Sequence, residues 1–156
     1  MRRFNASYLV IPSAVVLVAV TGSLFSTAGM DWYRSIRLPS WTPPGPVFGA
    51  AWTSIFALAA ASAVIAWNSA KRNATFGLGV ALVLNGLLNI LWTYLFFRLH
   101  LMSAAVGEAA LLELSVIALI AVVWPVSRLA AALLFPYAAW VAFATFLANA
   151  VWRLNA

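Results

Sequence analysis

The chain has 156 residues, 65% hydrophobic and 8% charged, with a mean hydropathy of +1.00. Soluble domains carry about a quarter charged residues, so 9 Lys+Arg and 3 Asp+Glu cannot coat a globule in water, and the composition reads as an integral membrane protein. The net charge of +6 does not point to nucleic acid, because the basic residues stand singly or in pairs beside apolar runs. With no cysteine there is neither a disulfide framework nor a thiolate site.

A helix needs about 20 apolar residues to cross the hydrocarbon, and five stretches qualify: 8–28, 46–68, 75–97, 102–124 and 129–152. Arg2 and Arg3 resemble the basic start of a signal peptide. However, the first run is long for one, and Asp31-Trp32-Tyr33 is a poor cleavage context, so it reads as a mature span. Between the first two spans lies loop 29–45, the one long polar-aromatic segment. Pro39, Pro43, Pro44 and Pro46 fall in it or just after it, each fixing φ and removing a donor. It reads as a stiff, partly extended loop that lids a pocket between the helices. The other connections are short, so neighbouring spans are antiparallel and the expected fold is a single-domain all-α bundle of five transmembrane helices. The fifth span carries Pro136 in its interior.

Arg2, Arg3, Lys71, Arg72 and Arg128 would share one side of the membrane, and Arg34, Arg37, Arg98 and Arg153 the other. Five against four leaves the orientation open. Gly45, Gly49, Thr53, Ala57 and Ala61 recur every four residues along the second span, a small-residue ridge read as bundle packing ahead of a dimer face.

Trp32, Trp41, Trp67, Trp124 and Trp152 lie at or beyond span ends, where interfacial anchoring accounts for them. Trp52, Trp92 and Trp140 sit inside spans, as core packing or as the wall of an aromatic cavity. Asn85 and Asn89, one turn apart on the third span, must face the interior and find partners, either as interhelical bonds or as a polar pocket floor. Asn149 on the last span joins them. Glu108 and Glu113 lie about 140° apart around the fourth span and cannot form an acid–base dyad on one substrate. Glu108 reads as reaching the interface, and Glu113 as protonated or bonded to a neighbouring helix. His100 reads as interfacial, and no metal-binding cluster, catalytic triad or phosphate loop is present in the sequence.

These residues resemble the tryptophan-rich sensory protein/translocator protein (TspO) family. The resemblance is carried by Trp32-Tyr33, Leu38-Pro39-Ser40-Trp41-Thr42-Pro43-Pro44, Phe48 and Trp52-Thr53, then by Leu88-Asn89, Trp92 and Phe96-Phe97. It continues through Pro136-Tyr137, Trp140, Ala142-Phe143-Ala144-Thr145, Val151-Trp152-Arg153 and Asn155. It implies a five-helix membrane protein, a homodimer and a pocket under the first loop for porphyrins such as protoporphyrin IX and haem, held as ligands with no resident cofactor or metal. Carried over residue by residue, the pocket comprises Trp32, Tyr33, Trp41, Phe48, Asn89, Trp92, Trp124 and Ala144, with Asn85 where the family has Gln. Some bacterial members break down protoporphyrin in light through two tryptophans that align with Trp52 and Trp140. An acidic residue occurs at the Glu108 position in some members. The sterol segment of the mitochondrial members is broken here, with Asn149 for its tyrosine and Leu147-Ala148 before it, which points away from cholesterol.

Three functions follow as expectations. The first is a porphyrin-binding protein that senses, sequesters or moves its ligand, with Arg34 or Arg37 pairing its propionates. The second is a light-dependent porphyrin-degrading enzyme using Trp52 and Trp140, and the third a lipid or sterol carrier or membrane scaffold. The short termini lead to a bacterial membrane, inner or outer.

Overall fold

The computed structural model describes residues 6–156, so Arg2 and Arg3 lie outside the described residues. Among the described residues seven α-helices follow in order: α1 (Ser7–Ala28), α2 (Met30–Ser35), α3 (Gly45–Ser69), α4 (Thr75–Thr93), α5 (Met102–Val123), α6 (Arg128–Ala132) and α7 (Phe135–Asn155). A π-helical turn, Tyr94–Arg98, extends α4. Five helical spans are long and apolar enough to cross a membrane, so the fold is a five-helix transmembrane bundle. They close a ring in which α1 packs on α3 and α4, α5 on α4 and α7, and α3 touches α7 only lightly.

The helix ends follow local chemistry. Pro44 caps α3 in an extended conformation and Pro46 occupies its first turn, where a missing N–H costs nothing. The Ser127 hydroxyl accepts from the Ala130 N–H and so caps α6. Two expectations change. Residues 30–35 of the lid are helical, because the prolines that exclude a helix begin only at Pro39. The fifth span is two helices broken at Leu133 and Leu134. The break lets Pro136 fall in the first turn of α7 instead of pressing its ring on a preceding carbonyl.

The α1–α2 junction depends on one close approach. Gly29 lies against the Phe97 carbonyl, and an added Cβ would stand 2.8 Å from Phe97 Cβ. Only glycine lets α2 fold down onto the π turn. The next residue of consequence on that side, His100, takes a left-handed φ of 57° and stacks on Trp32 with ring centroids 4.0 Å apart.

The small-residue ridge on α3 faces outward. Gly45, Gly49, Thr53, Ala57 and Ala61 are all exposed, and a Cβ at Gly45 or Gly49 would meet nothing within 4 Å. Bundle packing is therefore not what the ridge does; α3 turns Ile55, Ser62, Ala63 and Ala66 inward instead.

Candidate functional site

Polar groups inside an apolar bundle must be tied across helices, and here they form one chain of bonds. Asn85 Nδ2 donates to Ser115 Oγ (2.8 Å). The Tyr137 hydroxyl donates to Asn85 Oδ1 (3.1 Å) and accepts from Asn89 Nδ2 (3.2 Å). This network joins α4, α5 and α7 across the middle of the ring. Tyr137 was not expected in the site, although a tyrosine beside a helix-opening proline inside an apolar span was a usable signal.

On the lid side of this polar plate the structure gathers rings. Trp32 packs edge-on to Phe96 at 5.5 Å, and Tyr33 leans on Phe96 and Phe97. Trp92 stacks on Phe96 at 5.3 Å. Phe48 meets Trp140 at 5.6 Å, Trp140 meets Phe143, and Phe143 meets Trp41. Trp52 belongs to the neighbouring core, stacked on Phe56 and 6.2 Å from Tyr137. Ala144 stands one turn beyond Trp140 on α7, half-buried. In this arrangement the lid rests directly on aromatic side chains. Burial in this layer lifts the Tyr33 hydroxyl above its ordinary pKa, so it stays a neutral donor.

Three polar groups in or beside this layer have no partner among the described residues. They are the Trp92 and Trp140 indole N–H groups and both carboxyl oxygens of Glu108. Glu108 does not reach the interface as expected; it is only 5% exposed. Its height follows from helix register. Asn85 meets Ser115 across antiparallel α4 and α5, and Trp92 and Glu108 each lie seven residues lidward of that bond. Both therefore stand about 10 Å above it, level with one another. Glu113 Oε2 is likewise buried without a partner, so its expected bond to a neighbouring helix is not made through that oxygen.

The lid itself is fastened by residues that spacing did not reveal. The Arg37 N–H donates to Asn155 Oδ1 (2.9 Å), and Asn155 Nδ2 donates back to the Arg37 carbonyl (2.8 Å). One side chain at the end of α7 thus holds a lid residue by both backbone groups, while His100 holds the other end through Trp32.

Trp124 is placed elsewhere. It ends α5 on the far side of the bundle, 44% exposed, under Arg128 at 5.6 Å and edge-on to Phe135, so the structure does not bring it to the other site residues. No three His, Cys, Asp or Glu side chains gather among the described residues, and the groups the arrangement presents are aromatic faces, two indole N–H donors and the Glu108 carboxyl.

A model of the TspO/MBR family matches residues 10–153. Among curated relatives, Protein CrtK of Rhodobacter capsulatus is 36% identical over 143 residues, covering 91% of this chain and 88% of its own. Tryptophan-rich protein TspO of Archaeoglobus fulgidus is 34% identical, covering 92% of this chain and 93% of its own. The human Translocator protein is 33% identical over 81% of this chain and 76% of its own.

Proposed function

The chain belongs to the TspO/MBR family of membrane proteins, and we propose that it binds porphyrins such as protoporphyrin IX or haem in the aromatic layer beneath the lid, for sensing, sequestration or transport. The observation that carries this reading is the unpartnered set: Trp92 Nε1, Trp140 Nε1 and the Glu108 carboxyl. A buried donor without a partner costs about 1–3 kcal/mol, and native structures leave few such groups. A flat macrocycle sliding among Trp92, Phe96, Phe48 and Trp140 would exchange ring–ring contacts for ring–porphyrin contacts at little loss. One propionate would accept from the buried indole N–H groups and from the carboxylic hydrogen of Glu108, and the other would meet Arg34 or Arg37, both exposed on the lid. The homodimer belongs to the same proposal, with the outward ridge of α3 as its face.

Entry requires the lid to lift, since its rings now fill the space. The Asn155 clamp and the Trp32–His100 stack are the contacts that would break.

The test is titration of intrinsic fluorescence with protoporphyrin IX on the purified full chain in detergent, in the dark. The unmutated protein should quench saturably, and Trp92→Phe and Glu108→Ala should each weaken binding about tenfold, the loss of one well-made bond. Equal affinity in all three proteins would refute the assignment.

A further inference from the structure

Trp41 is the one exposed aromatic residue of loop 29–45, yet it is held in place. Pro39 and Pro43 stiffen the backbone on either side of it. The Thr42 N–H and Thr42 Oγ1 both donate to the Pro39 carbonyl, at 3.0 and 2.7 Å, and close a turn around it. Its ring then lies edge-on to Phe143 at 6.1 Å and stacked on Phe146 at 5.4 Å. Interfacial anchoring accounts for the exposure of this indole but not for the turn that aims it at Phe143.

Phe143 continues the contact inward. It stands three residues after Trp140 on α7, on the same helix face, and meets that indole at 5.3 Å. Trp140 is one of the rings proposed to hold the macrocycle. With the lid closed, ring contacts of 6.1 Å or less therefore lead from the porphyrin layer to the water-facing side of the lid. A second run leads from Trp92 through Phe96 to Trp32. Its first contact is one the macrocycle displaces, and its last indole is half-buried and stacked on His100. Of the two, the Trp140 run both survives binding and ends in water, with Trp41 45% exposed.

Indoles give up an electron far more readily than the phenyl rings beside them. An electron deficit in this run therefore rests on Trp140 or Trp41 and crosses Phe143 without stopping there. Resting on the porphyrin reading above, we infer that Trp140, Phe143 and Trp41 form an electron relay that resupplies an illuminated porphyrin from the surface of the lid.

Light promotes transfer of one electron from the bound ligand to dioxygen, giving superoxide. Trp140 replaces that electron and is left as an indole radical cation. Trp41 then reduces Trp140, and the Trp41 cation releases its N–H proton to water. Loss of the proton traps the deficit at the surface, where a reductant of the thiol class returns one hydrogen atom to Trp41. The net change is one electron moved from the thiol to dioxygen and one proton left in water, with the ligand and both indoles restored. Oxidation then falls on Trp41 and a replaceable reductant, and the buried layer is spared.

The experiment uses the full chain in detergent, saturated with protoporphyrin IX by fluorescence titration in the dark, then illuminated in air with the spin trap nitroso-tert-butane. The trap adds to carbon-centred indole radicals, and peptide mass spectrometry maps the adducts. Trp124 is the internal reference, because at 44% exposed it matches Trp41 but lies at the far end of the bundle. Adducts are expected on Trp41 and not on Trp124. Trp140→Phe, saturated likewise, should lose the Trp41 adduct although Trp41 itself is unchanged. Trp41→Phe should move the adduct to Trp140. Equal adducts on Trp41 and Trp124, a Trp41 adduct that persists in Trp140→Phe, or saturation in the dark followed by no indole adduct would each overturn the relay. A dark titration that does not saturate would overturn the porphyrin reading, and the relay with it.

Discussion

Replacing Asn155 by alanine removes both bonds that hold the Arg37 backbone, 2.9 and 2.8 Å long. A neutral hydrogen bond contributes about 0.5–1.5 kcal/mol net, and this pair is at an exposed end of the bundle, where water replaces it readily. The lower half of the range applies, about 1–2 kcal/mol for the pair, which raises the open fraction of the lid roughly 5- to 30-fold. Amide hydrogen exchange reads this directly, since the Arg37 N–H is itself one of the donors. Asn155→Ala should speed exchange at Arg37 by that factor while leaving the α5 core around Leu112, Val116 and Leu119 protected. Asn155→Asp keeps an acceptor for the Arg37 N–H but loses the donor to its carbonyl, so it should fall between. Exchange at Arg37 that stays unchanged in Asn155→Ala would refute the clamp.

Gly29→Val should lower thermal stability in detergent by about 1–3 kcal/mol, because its Cβ would overlap the Phe97 backbone; an unchanged melting curve would mean α2 can shift freely. Tyr137→Phe leaves Asn85 Oδ1 and Asn89 Nδ2 unpaired and should cost about 1–3 kcal/mol, more than Ser115→Ala, which leaves one side-chain donor, Asn85 Nδ2, unpaired, since the other bond it removes is to a Leu112 carbonyl within its own helix. Gly49→Leu on the outward face of α3 should abolish the proposed dimer in chemical crosslinking without changing porphyrin affinity, since a Cβ there meets nothing in its own chain. Trp140→Phe, illuminated with protoporphyrin IX at a concentration that saturates it despite the lost indole donor, separates binding from degradation: pigment lost only in the unmutated protein would favour the light-dependent enzyme.

The five spans were legible because hydrocarbon imposes a length and a composition that few segments meet by accident. The interior position of Asn85 and Asn89 was legible for the same reason, as an amide facing lipid would have no partner. What periodicity could not show were features fixed by a single contact. The helical start of the lid depends on Gly29 packing against Phe97, and the lid clamp joins residues 118 positions apart. Glu108 looked interfacial because it is near the start of α5, yet it is buried on a helix packed between α4 and α7. Trp124 was carried over by alignment, although the antiparallel spans already put Arg128, and Trp124 just before it, on the side of the membrane away from the lid.

The central claim, a ligand at the orphaned indoles under the lid, is most directly tested by nitrogen-15 indole spectra of the detergent-solubilised protein, with signals assigned by Trp92→Phe and Trp140→Phe. Adding protoporphyrin IX should shift the Trp92 and Trp140 N–H resonances, both unpartnered before binding. Trp124, at the far end, and Trp67, in the apolar cavity between α1, α3 and α4, should stay in place. Shifts at Trp67 or Trp124 with Trp92 and Trp140 unmoved would contradict the account.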